Sequence, residues 1–217
     1  EEYTLAAGAL LQEHERFEEM AELLREGLAE DATSERMRVA LVRFLVHERR
    51  LVEARVQAAE GDQARRAAGV GTRPAISLEL AEMLARRGDY TAASEVLTGI
   101  RERGVRDREA EAQLARYRLG LGEVEAALAL LPEAAARWDQ DAELRYLWGR
   151  ALEMQDDIAG ARRLLVEAVE RAPSMPVYRI GLLRTLVLHH RADLGAEQPD
   201  REQATLQDLA RDLEESD

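Results

Sequence analysis

The stretch that decides the fold is Leu80-Ala-Glu-Met-Leu-Ala-Arg-Arg-Gly-Asp-Tyr90-Thr-Ala-Ala93. Its pattern returns in Leu114 to Ala127 and again in Trp148 to Ala161. Ala93, Ala127 and Ala161 follow one another at steps of 34 residues; Leu97, Leu131 and Leu165 keep that step, as do Leu80, Leu114 and Trp148. Backwards along the chain, Met20 and Ala54 are also 34 apart, and so are Leu11 and Leu45. Between Ala54 and Ala93 the gap is 39, which places a five-residue insertion at Gly69-Val-Gly-Thr-Arg73. The units therefore run 1–34, 35–68, 74–107, 108–141 and 142–175, with an irregular sixth over 176–217. A fixed period of this length marks a repeat architecture.

Inside a unit the apolar spacing is helical. Leu144, Trp148, Ala151 and Leu152 fall on one face of a first helix. A break follows at Gln155-Asp156-Asp157, where Asp can cap a second helix carrying Ile158, Ala161, Leu164, Leu165 and Ala168. That helix stops near Ala172-Pro173. No window alternates with β-branched enrichment, so no strand is expected. The expected fold is all-α.

A 34-residue helix–turn–helix with Gly149, Leu152, Ala161, Leu165, Ala168 and Pro173 at these spacings resembles a tetratricopeptide repeat, and the third unit adds Ala81, Gly88-Asp89-Tyr90 and Ala93. The resemblance covers essentially the whole chain. It implies a right-handed helical-repeat solenoid, a single domain over 1–217, in which Gly149 and Ala161 are small because paired helices approach closely there. Three features depart from the family pattern. Its early tryptophan is replaced by Thr4, Arg38, Ser77, Glu111, Arg145 and Arg179, Arg118 occupies a core position, and the second unit lacks a clean Gly at its turn. In the sixth unit Val177 to Leu188 reads as a helix and His189 to Gln198 as a polar loop. A terminal helix is expected over about 199–215, opened by Pro199 and striped by Ala204, Leu206, Leu209, Ala210 and Leu213, as a cap on the last repeat.

Composition narrows the function. The 217 residues carry 43 acids against 30 basic residues, a net charge of −13. Every basic residue is Arg, and neither Lys, Asn nor Cys occurs. Disulfides, thiol nucleophiles, thiolate metal sites, N-glycosylation, a P-loop lysine and a Schiff-base lysine are excluded. With 4% aromatic residues, no stacking surface for single-stranded nucleic acid is expected, and the acidic balance opposes phosphate tracking. No run of about 18 apolar residues is present, so no direct membrane insertion is expected. The use of Arg alone fits a GC-rich, bacterial coding sequence. Because the chain begins at Glu1 without a leader, it reads as part of a larger chain or complex.

No enzyme is visible. His14, His47, His189 and His190 form no ligand pattern, and no Cys can complete a metal site. Glu18-Glu19, Asp156-Asp157 and Glu214-Glu215 lie at helix starts or at the terminus, where acids favour the helix dipole or remain solvated. Gly69-Val-Gly-Thr-Arg73 follows a helix and falls short of the phosphate-binding patterns. Neither a cofactor nor a metal is expected.

The resemblance implies a concave groove lined by the first helix of each unit. The ninth position of each unit reads Ala9, Arg43, Glu82, Arg116, Arg150, Arg184. Four arginines at one register position suit bidentate bonds to carboxylates or backbone carbonyls, with Glu82 and Glu153 partly neutralising them. Tyr146 and Gln113 belong to the same face. The candidate partner-binding residues are thus Arg43, Arg116, Arg150, Arg184, Tyr146 and Gln113. The Lys and Asn clamp by which some family members hold chaperone tails is excluded, since neither residue type occurs. The first unit carries a net charge of −8 and residues 35–73 carry +4.

The reading is a non-enzymatic scaffold that binds a protein or peptide partner in its groove. The family's occurrence in bacterial export, exopolysaccharide-secretion and envelope-assembly machines makes the periplasm the preferred compartment over the cytoplasm. The alternatives are an acidic surface for a cationic polysaccharide and an accessory or regulatory domain of a larger enzyme.

Overall fold

The repeat appears as alternating first and second helices in the computed structural model, which describes residues 2, 4–6 and 16–193. Residues 4–6 are helical. The second helix of the first repeat is α1 (Phe17–Glu30); then come α2 (Glu35–His47) with α3 (Leu51–Ala67), and α4 (Ala75–Arg86) with α5 (Tyr90–Glu102). The fourth repeat gives α6 (Arg108–Gly120) and α7 (Val124–Arg137), the fifth α8 (Ala142–Met154) and α9 (Ile158–Arg171), and α10 (Pro176–Asp193) closes the series. The described residues include no strand. The chain gathers into two compact units, Glu1–Leu121 and Gly122–Asp217. The boundary falls between the two helices of the fourth repeat.

The local sequence explains where each helix starts. Ser34, Asp89, Asp107, Asp141 and Asp157 are N-caps whose side-chain oxygens accept backbone N–H groups of the first turn. Each such cap contributes about 0.5–2 kcal/mol. The turn between the helices of a repeat needs one residue in the left-handed region. Gly88 and Gly122 fill it at φ 81° and 77°, whereas Arg49 and Asp156 stand there at φ 60°. The second repeat thus keeps the turn despite lacking the glycine.

Close approach explains the small residues. Ala54, Ala93, Ala127 and Ala161 are fully buried. On α8, a Cβ at Gly149 would come within 2.9 Å of Leu165 Cγ and 3.2 Å of the Ala161 carbonyl oxygen on α9. Arg118, at a core position of the fourth repeat, is half-buried and donates to Thr98 Oγ1 at 3.2 Å, so α6 forms around it.

The early-helix position that lacks tryptophan is polar, yet three of its occupants lock onto the preceding repeat. Asp62 of α3 is buried and accepts the N–H groups of Ile76 and Ser77 at 3.0 Å each, capping α4 from a neighbouring helix. Arg101 of α5 donates to both carboxylate oxygens of the buried Glu111 at 2.6 Å. Arg145 donates to the Ala135 carbonyl at 2.8 Å and to Glu167 at 3.0 Å. Arg38 instead donates to Gln57 of its own repeat at 2.6 Å.

The insertion at 69–73 is a loop, as expected, although α3 has 17 residues where α1, α7 and α9 have 14. One expectation changes. Helix α10 runs 18 residues to Asp193, so residues 189–193 are helical and not the start of a loop. The position one repeat beyond Asp156 is His190, and nothing from His189 to Asp193 is a Gly or Pro that would stop the helix. Tyr178, Leu182 and Thr185 of α10 are buried, while Val177, Ile180 and Val187 are exposed. The terminal helix expected over 199–215 lies outside the described residues.

Replacing Ala161 by Leu should overpack the α8–α9 contact and cost about 1–3 kcal/mol in a urea denaturation. Acidity offers a second check. Burial pushes the Asp62 carboxyl above its ordinary value despite the hydrogen bonds from Ser77 and Ile76. The folded state therefore penalises ionised Asp62, and that penalty fades as pH falls from the raised folded value towards the unfolded value of about 3.9. The wild type should thus gain stability relative to Asp62→Asn when denaturation is repeated at pH 4 instead of pH 7; a relative loss would reverse the sign argued here.

Candidate functional site

In the first compact unit, Arg43 projects from α2 into solvent and reaches Glu79 of α4 at 2.9 Å. Arg86, one turn beyond Glu82 on the same helix, donates to Glu82 at 3.2 Å and lies 4.0 Å from Glu79. Arg43 and Arg86 border a cleft of about 770 Å³ between α1, α2 and α4, whose apolar wall includes Phe17, Met20, Phe44 and Met83. Arg87 also lines it and is fixed by donation to the Val46 carbonyl at 2.7 Å.

Arg116 lies on the other side of α4. It lines a second cleft of about 590 Å³ with Glu82, Ala85, Arg86, Tyr90, Tyr117 and Gly120. The rings of Tyr90 and Tyr117 are 5.6 Å apart and tilted by 45°. Tyr117 is buried, and that burial holds its phenol above the ordinary value. Gln113, a turn earlier on α6, donates to Glu109 of its own helix at 3.1 Å, and its buried Oε1 accepts no hydrogen bond.

The second compact unit gathers Tyr146, Arg150 and Arg184 around one carboxylate. Glu153 of α8 is buried. Arg184 of α10 meets it with both Nε, at 3.0 Å, and Nη2. Arg150 Nε is 3.0 Å from the same carboxylate without aligning for a hydrogen bond, and its Nη1 donates to the Tyr146 hydroxyl at 3.2 Å. The Arg150 guanidinium stands 6.0 Å from the Tyr146 ring centre, and Tyr146 tilts against Tyr178 at 5.1 Å. The Thr185 hydroxyl lies within reach of Glu153 at 3.3 Å and of the Gly181 carbonyl at 3.1 Å, and its single proton serves one of them at a time.

No protein-family model matches the sequence, and no curated protein matches it. Solved structures do resemble it. A MamA fragment from Desulfovibrio magneticus RS-1 is 18% identical over 82% of this chain and 96% of that one, with a TM-score of 0.57. YrrB, described as a TPR protein with an unusual peptide-binding site, is 14% identical over 88% and 92%, with a TM-score of 0.58. A tetratricopeptide repeat protein from Parabacteroides merdae is 10% identical over 95% and 83%, with a TM-score of 0.53. The fold is that of the tetratricopeptide-repeat proteins.

Within this tetratricopeptide fold the ninth-position arginines fall in two groups. Arg43 and Arg116 belong to the first compact unit and border different clefts there. Arg150 and Arg184 belong to the second, converge on Glu153 and take Tyr146 with them. Gln113 joins neither cleft among the described lining residues. Sequence reasoning marked Glu153 as a neutralising neighbour, three residues from Arg150, but missed Glu79, the tyrosine pair and the Phe–Met cleft. One signal was available. Arg184 finds its acid 31 residues earlier, one repeat less one helical turn, and Arg43 finds Glu79 36 residues later, one 39-residue step less one turn. Among the described residues no group of three His, Asp or Glu is placed to hold a metal ion, and no helix is long and apolar enough to cross a membrane.

Glu153→Ala should leave two part-buried guanidinium groups without their shared acceptor and lower stability by about 1–3 kcal/mol in thermal denaturation. Arg43→Ala, which removes an exposed pair, should cost less than about 1 kcal/mol.

Proposed function

We propose that this chain is a non-enzymatic scaffold that holds an acidic or carbonyl-rich segment of a protein partner against the arginine-bearing face of its first helices. The observation that carries the proposal is the placement of Arg43 and Arg116: both are exposed, and both stand beside a cleft with apolar side chains in its wall, in a chain whose net charge is −13. Guanidinium groups bound to carboxylates form short, charge-assisted bonds, and the neighbouring apolar walls supply burial for a ligand side chain. Ionisable groups around the clefts are engaged with one another, as in Arg43–Glu79 and Arg86–Glu82, and so are Glu153 and its two arginines in the second compact unit. That arrangement suits holding a ligand and supplies no pair of groups poised for proton transfer. Two solved neighbours are described by their partners, one with an unusual peptide-binding site and one as the hetero-tetramer Cut9–Hcn1 of APC/C. The proposed setting, a bacterial export or envelope-assembly machine, rests on the family resemblance and on the arginine-only composition.

The test is binding of fluorescent acidic peptides, followed by anisotropy at two salt concentrations. Arg43→Ala combined with Arg116→Ala should weaken binding tenfold or more and flatten its salt dependence, with helicity and melting temperature nearly unchanged. Unchanged affinity in that variant removes the arginine face from the site. Binding of a cationic oligosaccharide in place of every acidic peptide would favour the polysaccharide reading.

A further inference from the structure

The two clefts of the first compact unit flank α4, meet at Arg86, which lines both, and differ in chemistry. The cleft on the α2 side has a wall of Phe17, Met20, Phe44 and Met83, in which Phe44 and Met20 are buried and Met83 half-buried. Sulfur and ring edges on one wall adapt to a flexible aliphatic side chain. The cleft on the α6 side is floored by buried Tyr117 and walled by Tyr90, which is 44% exposed with its ring open to a ligand. A tilted pair of tyrosines accepts a further aromatic ring in the same edge-to-face manner. Arg86 lines both clefts, and its side chain is 61% exposed.

Charge selects the ligand. Among its described lining residues the first cleft carries Arg43, Arg86 and Arg87 and no carboxylate. The second carries Arg86 and Arg116 against the single carboxylate of Glu82. Counting Glu79 and Glu82, which pair with Arg43 and Arg86, the arginines still outnumber the carboxylates by one in each cleft, inside a chain that is strongly acidic as a whole. A basic ligand would be drawn to other faces of this chain. Spacing then sets the pattern. Helices packed side by side stand about 8–10 Å apart, which sets the spacing expected between the gaps that flank α4. A polyproline II segment rises about 3.1 Å per residue and turns once in three residues, so side chains three residues apart point the same way and reach both clefts.

We propose that the first compact unit recognises an extended acidic segment of a partner protein through two anchors three residues apart, an aliphatic side chain between α2 and α4 and an aromatic one between α4 and α6, with an intervening Asp or Glu on Arg86. The proposal rests on the arginine-face reading above and adds to it a side-chain specificity and a spacing. Arg86 keeps Glu82 as a partner and has donors enough for a second carboxylate, since a guanidinium carries five N–H groups.

The probes are synthetic fluorescent peptides in a Gly-Ser background, carrying Leu-Asp-Glu-Phe or the reverse order Phe-Glu-Asp-Leu, tested against the full chain by anisotropy. One of the two orders should bind at least tenfold more tightly than the same peptide with Phe replaced by Ala, or with one Ser inserted between the acids. Tyr90→Ala should abolish the preference for Phe and leave that for Leu, and Met83→Ala should do the reverse; both positions are exposed or half-buried, so circular dichroism should confirm an intact fold. Equal binding of all acidic peptides, whatever their anchors or spacing, would overturn the two-anchor proposal and leave the arginine reading standing. Failure of every acidic peptide to bind the folded chain would overturn both.

Discussion

The structure depends on a steric constraint: paired helices must touch backbone to side chain at one point in each repeat. At that point a Cβ added to Gly149 would run into Leu165, with the Ala161 carbonyl just beyond, and the alanines at the equivalent of Ala161 are buried throughout the described repeats. Interiors packed to crystal density leave no slack at such a contact, so small residues must recur at a fixed interval. The interval becomes the period of the sequence, the period fixes which helix is first and which is second, and that choice decides which arginines can face a ligand.

Electrostatics works differently in the two compact units. In the second, Arg150 of α8 and Arg184 of α10 share the buried carboxylate of Glu153, and the Arg184 pair joins α8 to α10. In the first, the arginines are exposed: Arg43 pairs with the half-buried Glu79 and Arg86 with the exposed Glu82. Exposed pairs contribute little to stability and exchange partners readily, whereas breaking a buried one leaves a charge stranded. The ninth-position arginines thus look uniform in the sequence and divide into those that share a buried carboxylate and those that border clefts only when their surroundings are seen.

How much was legible follows from the same distinction. The helix pairs, the small contacts and the Asp cap at the turn of the fifth unit were readable because each rests on residue type at a set place in the repeat. Glu153 was readable because it lies one turn from Arg150 on a single helix. Glu79 and the clefts beside α4 were not, since they arise where neighbouring helices leave a gap, and a gap has no residue of its own to mark it. The end of α10 was misread for a related reason: the polar run from His189 suggested a loop, yet without Gly or Pro the helix continued to Asp193. The turn at Arg49 was a milder case, in which a non-glycine residue adopts the left-handed conformation that the packing demands.

The polar contacts at the missing-tryptophan position carry a consequence for how such a chain can change. A family of repeats that meet through identical tryptophans is interchangeable, and units can be lost or duplicated by recombination without altering any junction. Here three junctions each have their own complement: Asp62 meets the backbone amides of Ile76 and Ser77, Arg101 meets Glu111, and Arg145 meets the carbonyl of Ala135. Excising residues 74–107 would set Asp62 opposite Glu111, two carboxylates in one buried junction, and excising 108–141 would set Arg101 opposite Arg145. Like charges forced together out of water are strongly disfavoured. The order of the repeats is therefore written into their junctions, and the chain resists the shuffling by which repeat proteins ordinarily diversify.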